Sequence, residues 1–224
     1  MEAKVGHPAK YTDDFMSVFA DLLNGRERVL DPFAGTGKIG VIKKFGFDGD
    51  VYANEIEPEW IKPNTYNCDF ITVQDAEFLQ YPAEYFDAIC TSPTYGNRMA
   101  DHHIAKDGSK RNTYTHCIGR QLSYGNTGKM QWGFDYREKH KRIYNHLASL
   151  VRNGGIFICN VKNHIRKGKE VDVKAFHELA IIESGFVKVK EIFVETKGNG
   201  FGANSDKRTS GEYILVFQKA EVNK

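Results

Sequence analysis

Paired cysteines, long apolar runs and a strong charge of either sign are all missing from this sequence. Its four cysteines, Cys68, Cys90, Cys117 and Cys159, are scattered, with no Cys-x-x-Cys pair. Cys90 and Cys159 fall inside apolar stretches, which suits free buried thiols in a reducing cytoplasm rather than a disulfide-stapled fold. No run of about eighteen or more apolar residues occurs, so no membrane span is expected. The first residues, Met1 to His7, lack the apolar core of a secretory signal, and a cytoplasmic location is expected. Net charge is only +2 over 224 residues. The chain is therefore no polycation, and any nucleic-acid surface has to be a local patch. Internal repeats and low-complexity tracts are also absent. This length can bury a substantial core without staples, and one domain over residues 1–224 is expected.

What is present centres on Arg28-Val-Leu-Asp31-Pro32-Phe33-Ala-Gly35-Thr-Gly37-Lys-Ile-Gly40. An apolar strand end is stopped by Asp31-Pro32. Gly35 and Gly37 then allow a tight turn and a close approach of ligand to backbone. Gly35-x-Gly37-x-x-Gly40 is literally the dinucleotide fingerprint, and Glu55 follows Gly35 at the spacing of a ribose-binding carboxylate. A phosphate-binding P-loop is excluded by Phe33 and Ile39, which stand where it needs Gly and a hydroxyl residue. A nicotinamide site would put pyrophosphate at the helix start, where Asp31 would repel it. A carboxylate there suits a cationic or amine-bearing ligand.

Strands alternate with helical stretches along the chain, which implies a parallel α/β sheet with right-handed crossovers. Phe15, Val18, Phe19, Leu22 and Leu23 are spaced for a helix over Tyr11–Leu23. A helix is expected over Lys38–Phe45, and another opening at Pro58. Strands are expected over Asp50–Asn54, Phe70–Val73, Phe86–Thr91 and Ile156–Val161. A helix beginning at Tyr136 or Arg137 should run to Leu150, with a further one over Val173–Ser184. The strands Val187–Thr196 and Gly211–Gln218 close the chain. Ligands in such sheets sit beyond the carboxyl ends of the strands. Asp31, Glu55, Asp75 and Ser92 all fall at such ends, with Glu57 a rival to Glu55. Asp75 is equally suited to capping a helix.

The run Asp31-Pro32-Phe33-Ala-Gly35-Thr-Gly37 resembles the cofactor loop of S-adenosylmethionine-dependent DNA amino-methyltransferases. Thr91-Ser92-Pro93-Thr94-Tyr95, directly after the fourth strand, resembles their Ser-Pro-Pro-Tyr motif. Cofactor loop before reactive motif is the gamma-type order of that family, and the likeness extends from Gly6 to Gln218. It implies a Rossmann-like methyltransferase fold, with a seven-stranded mostly parallel sheet, an antiparallel final strand and helices on both faces. It also implies S-adenosyl-L-methionine as cofactor. Asp31, Pro32, Phe33, Gly35, Gly37 and Glu55 would hold that cofactor, and Asp75 would meet its adenine amino group. Ser92, Pro93 and Tyr95 would be catalytic.

The chemistry accounts for those residue types. An aryl amine is a poor nucleophile because its lone pair is conjugated with the ring. Acceptors for both amine hydrogens, the Ser92 hydroxyl and the Pro93 carbonyl, favour a pyramidal nitrogen. Tyr95 offers a face on which a base can stack, worth about 1–3 kcal/mol. A stacked duplex base cannot reach such a pocket, so flipping or a single strand is implied. Thr94 departs from the family's second proline, which puts the rigidity of the turn in question.

Residues 96–136 read as a basic, aromatic insertion that binds the target. From Gly96 to Arg142 there are ten basic side chains against four acidic ones, interleaved with Tyr114, Tyr124, Trp132, Phe134 and Tyr136. That mixture suits a phosphate backbone and an unstacked base, though a solvated loop has the same composition. Thr94, Arg98 and, from the Gly-rich loop after Lys197, Phe201 are candidate substrate contacts. His102, His103, His116 and Cys117 lack paired ligand spacing, so no metal is expected. DNA is the expected partner, with methyl transfer to cytosine N4 or adenine N6. RNA or another amine is the alternative, as is a catalytically weak nucleic-acid-binding protein that retains the fold.

Overall fold

The structure is a computed structural model that describes residues 13–61, 66–96, 113–166, 168–195 and 211–221. Its strands are β1 (Arg28–Asp31), β2 (Asp50–Asn54), β3 (Phe70–Thr72), β4 (Phe86–Thr91), β5 (Val151–Val161), β6 (His164–Arg166), β7 (Lys169–Val171), β8 (Phe186–Glu195) and β9 (Gly211–Lys219). Its α-helices are α1 (Asp13–Leu22), α2 (Tyr114–Ile118), α3 (Phe134–Leu150) and α4 (Val173–Glu183). Seven strands form one sheet in the order β3-β2-β1-β4-β5-β9-β8, and β6 and β7 make a separate hairpin. The pairs from β3 through β5 are parallel. β9 runs antiparallel to both of its neighbours. The expected seven-stranded Rossmann-like sheet with one reversed final strand is therefore the fold observed.

Alternation along the strands builds a core on each face of the sheet. Leu30, Tyr52, Ile89, Phe157, Leu215 and Phe217 face one way and bury Ile143, Tyr144 and Leu147 of α3 and Ile181 of α4. Val29, Val51, Ala88, Ile158, Ile214 and Val216 face the other way and cover Phe15, Met16 and Phe19 of α1. Ile39 and Ile42 join that second layer from a 3-10 helix over Lys38–Phe45. Fully burying each such side chain is worth about 1.5–3 kcal/mol, so this pattern sets which residues reach the sheet's carboxyl edge.

Several local expectations are corrected. Lys38–Phe45 is wound as a 3-10 rather than an α-helix. It is packed so closely that a Cβ on Gly40 would lie 1.9 Å from the Tyr66 carbonyl oxygen. Residues 58–60 form a turn where a helix was expected to open at Pro58. α3 starts at Phe134, ahead of the expected Tyr136. β5 follows α3 without a break and runs through Asn153-Gly154-Gly155, and the β4–β5 register shifts between Phe86 and Ala88. The hairpin β6–β7 has no sequence signal beyond Gly168 in its turn. No helix among the described residues is long and apolar enough to cross a membrane.

Candidate active site

Four strand ends are tied together by polar side chains, chiefly Asp31 and Asn54. Asp31 is fully buried at the end of β1. Its Oδ1 accepts the Thr91 hydroxyl at 2.6 Å and the Phe33 N–H at 3.0 Å. One carboxylate thus links β1 to the end of β4 and starts the glycine turn. Gly35 and Gly37 both take positive φ, +56° and +78°, a region open to glycine at little cost. Asn54, at the end of β2, donates to the Pro32 carbonyl at 3.2 Å and the Gln74 carbonyl at 3.0 Å. Its Oδ1 accepts from the Thr72 hydroxyl and the Gln74 N–H. The loop after β1 is therefore fixed to the ends of β2 and β3.

Glu55 and Glu57 have different jobs. Glu55 accepts the Gly35 N–H at 2.9 Å and the Glu57 N–H at 3.0 Å. Burial pushes its carboxyl up to about 8, with the neighbouring Glu57 adding to the rise and the N–H bonds opposing it. Glu57 is wholly buried and faces the other way. It accepts from Arg120 at 2.7 Å, from the Ser123 N–H and hydroxyl at 2.7 and 2.9 Å, and from Asn126 at 2.8 Å. Glu55 therefore lines the cavity, while Glu57 anchors the insertion.

Asp75 caps the short 3-10 helix Ala76–Phe78 through a bond from the Glu77 N–H. Its other oxygen is paired with Lys139 of α3 at 2.7 Å. It is a cap and an ion-pair partner as well as a cavity wall.

In the turn after β4 the Ser92 and Tyr95 hydroxyls are 2.8 Å apart. Burial holds the Tyr95 phenol well above its ordinary pKa, helped by the negative charge of Glu212. Thr94 is held from both sides. Its hydroxyl donates to Thr127 at 2.9 Å, and its carbonyl accepts from the Tyr136 hydroxyl. Tyr136 spends its one hydrogen there, so His177 Nε2, at 2.9 Å, must donate to it. His177 Nδ1 then accepts from Tyr144 at 2.6 Å. Burial keeps His177 neutral, with its pKa well below the ordinary value.

One cavity of about 310 Å³ collects most of the residues that the sequence singles out. Pro32, Phe33, Gly35, Glu55, Asp75, Ser92, Pro93, Thr94 and Tyr95 all line it. Asp31 and Gly37 do not; they shape the loop from behind. Arg98 and Phe201 lie outside the described residues. Sequence reasoning missed Trp60, Asn160 and Glu212, which also line the cavity, and gave Tyr114 no place in it. Trp60 and Tyr114 pack together with ring centroids 5.3 Å apart. Tyr114 comes from the insertion, as do Gly125, Asn126 and Thr127.

The described part of the insertion, with the residues of α3 that follow it, is more ordered and less free in its charge than its composition implies. α2 and a 3-10 turn over Thr127–Lys129 give it regular structure. Arg120 is paired with Glu57 and Glu59. Lys139 is paired with Asp75 and Glu77, Arg142 with Glu77, and Lys141 with Glu183. Four of the ten cations counted as a phosphate surface are thus committed within the fold. Among the described residues no cluster of metal-ligating side chains occurs.

No protein-family model matches the chain, and no curated protein sequence does. Solved structures share the fold at low identity. An S-adenosylmethionine-dependent methyltransferase from Methanosarcina mazei is 10% identical over 92% of this chain and 98% of its own, with a TM-score of 0.57. Magnesium protoporphyrin IX methyltransferase from Synechocystis PCC 6803, solved with bound S-adenosylmethionine, is 13% identical over 92% of this chain and 77% of its own, at 0.52. The [4+2]-cyclase SpnF is 12% identical over 97% of this chain and 86% of its own, at 0.55.

Proposed function

We propose that the chain is an S-adenosylmethionine-dependent amino-methyltransferase. Its substrate is the exocyclic amine of a DNA base, cytosine N4 or adenine N6, taken out of the stack. The observation that carries this reading is that the glycine loop and Ser92-Pro93-Thr94-Tyr95 line one cavity together with Glu55 and Asp75. The cavity fits such a cofactor on its own chemistry. It offers the buried acid Glu55 at a strand tip, the left-handed Gly35 that allows close approach, and a volume in the range of small-molecule sites. Pro32, Phe33, Gly35 and Glu55 would hold the cofactor, with Asp75 also lining the cavity. Bound there, it supplies an electrophilic methyl group.

The protein's own contribution is positioning. Ser92 and the Pro93 carbonyl accept the hydrogens of the amine. The Tyr95 phenol stays protonated and can donate to Ser92, which leaves the serine oxygen a lone pair for the substrate. Tyr136 and Thr127 hold Thr94 in place, which compensates for the missing second proline and argues against a weakened scaffold protein.

A second reading is an RNA or other amine acceptor, and its form outside a polynucleotide draws support from the ion pairs of Arg120, Lys139, Lys141 and Arg142. They reduce the charge left to follow a phosphate backbone. Tritiated methyl transfer to DNA, RNA and free nucleosides separates the readings, with mass spectrometry of the digested product to locate the methyl group. Transfer to DNA with label on N4 or N6 supports the first. Label only on RNA or nucleosides moves the assignment to the second.

A further inference from the structure

β9 runs antiparallel to β5, so the start of β9 lies beside the end of β5. Val161 pairs with Tyr213 and Asn160 with Ile214. Asn160 and Glu212 therefore both reach the carboxyl edge of the sheet, where they line the same cavity as Ser92 and Tyr95. Neither belongs to a motif that the sequence marks.

Asn160 is 2% exposed. Its Nδ2 donates to Glu212 Oε2 at 2.8 Å. A carboxylate only accepts, so this contact fixes which way the amide points. Asn160 Oδ1 is left buried with no hydrogen-bond partner among the described residues. Glu212 Oε1 has Lys162 Nζ only at 4.0 Å, the outer limit of an ion pair. This wall of the cavity thus holds one acceptor without a partner among the described residues, Asn160 Oδ1, beside a carboxylate oxygen with only a distant cation. A phosphate, a carboxylate or a ring carbonyl placed there would face acceptor against acceptor. A group with two N–H bonds would satisfy both.

Three acids line the cavity: Glu55, Asp75 and Glu212. Glu55 receives two backbone N–H groups, and Asp75 receives one together with Lys139. Glu212 is the acid with capacity to spare. The Ser92 corner itself contributes hydroxyls and carbonyls, none of which takes up a proton near neutral pH.

We propose that Asn160 and Glu212 complete the site for the base whose amine Ser92 and the Pro93 carbonyl hold, and that Glu212 takes the proton its nitrogen sheds. This rests on the amino-methyltransferase reading. The nitrogen lone pair forms the new N–C bond while the donor's C–S bond breaks with its electrons left on sulfur. One N–H bond then gives its electrons to nitrogen and its proton to the Glu212 carboxylate, which passes the proton to water.

The test uses the full-length protein and the variants Glu212→Gln, Glu212→Ala and Asn160→Ala. Glu212→Gln keeps an oxygen for Asn160, so the fold is preserved. Its thermal unfolding and its calorimetric affinity for S-adenosylmethionine should match wild type, while methyl transfer falls about 10²–10⁴-fold. Added formate should restore transfer in Glu212→Ala in proportion to its concentration, which a structural role would not allow. Asn160→Ala should weaken binding of a labelled single-stranded oligonucleotide, measured by anisotropy without cofactor, by about tenfold.

Transfer by Glu212→Gln within threefold of wild type would overturn the inference and leave the methyltransferase reading standing. So would loss of cofactor affinity in that variant, or no response to formate. A wild-type protein that methylates neither DNA, RNA nor nucleosides would remove the underlying reading, and this inference with it.

Discussion

Glu55 gives the sharpest physical test because its burial has a measurable sign. The carboxyl is 6% exposed and its pKa rises from the ordinary 4.5 to about 8, chiefly through burial. In the folded protein it is protonated at neutral pH; in the unfolded chain it is ionised. The folded state therefore binds one more proton than the unfolded state between those two values. This contribution to stability is complete below pH 4.5 and is lost as pH rises through about 8. Each pH unit in that window removes about 1.4 kcal/mol, so about 3 kcal/mol disappears between pH 5 and 7.5. Glu55→Gln abolishes the titration. It also leaves one of two N–H groups, from Gly35 or Glu57, without an acceptor, at a pH-independent cost of about 1–3 kcal/mol. The variant should therefore be the less stable protein at pH 5 and overtake or equal wild type by pH 8. Urea unfolding of both proteins without ligand, at half-unit steps of pH, reads the difference directly. A difference that stays flat within about 0.5 kcal/mol across the window would refute the claim that the fold holds Glu55 neutral.

Other sites give independent checks. Glu57→Ala removes the acceptor for Arg120, Ser123 and Asn126, and should cost about 3 kcal/mol or more. Hydrogen exchange should then quicken across residues 120–126, and unchanged exchange there would show that Glu57 is no anchor. In Gly125→Ala the new Cβ would meet Asp75 Oδ2 at 1.9 Å, against an oxygen that Lys139 holds. The expected loss is about 1–3 kcal/mol in urea unfolding. Gly119→Ala, at φ +80° with nothing within 4 Å, is the control and should show only backbone strain of about 1 kcal/mol. Tyr136→Phe leaves the Thr94 carbonyl and His177 Nε2 without their partner. It should lower methyl transfer much more than affinity for S-adenosylmethionine, and parallel losses would show that the relay supports the whole cavity rather than the turn.

The sheet and the glycine loop were legible because their signals are local. Alternating apolar strands, acids at the first three strand tips and glycines at a turn are read from neighbouring residues. The division of labour between Glu55 and Glu57 was not legible. Both stand at the same strand end, and only the fold shows that Glu57's partners lie more than sixty residues away in the insertion. The charge of that insertion misled for the same reason. Composition counts Arg120, Lys139 and Arg142 as free cations, whereas Glu57, Glu59, Asp75 and Glu77 neutralise them through contacts distant in sequence. Glu212 was missed because acids were sought where strands end, and β9 runs the other way. In a sheet whose last strand is reversed, the residue that begins that strand stands at the ligand edge.

The same lesson applies to Thr94. A second proline would stiffen the turn from within its own backbone. Here the stiffness comes from outside, through Thr127 at the hydroxyl and Tyr136 at the carbonyl. Tyr136 is in turn fixed by a neutral His177 that has no freedom of tautomer. A fold shared with a cyclase as well as with methyltransferases cannot decide the chemistry. The burden falls on such side-chain constraints. What they specify is a turn held from both sides, with Ser92 and Pro93 lining the cavity beside it, and the proposed amine substrate rests on that turn.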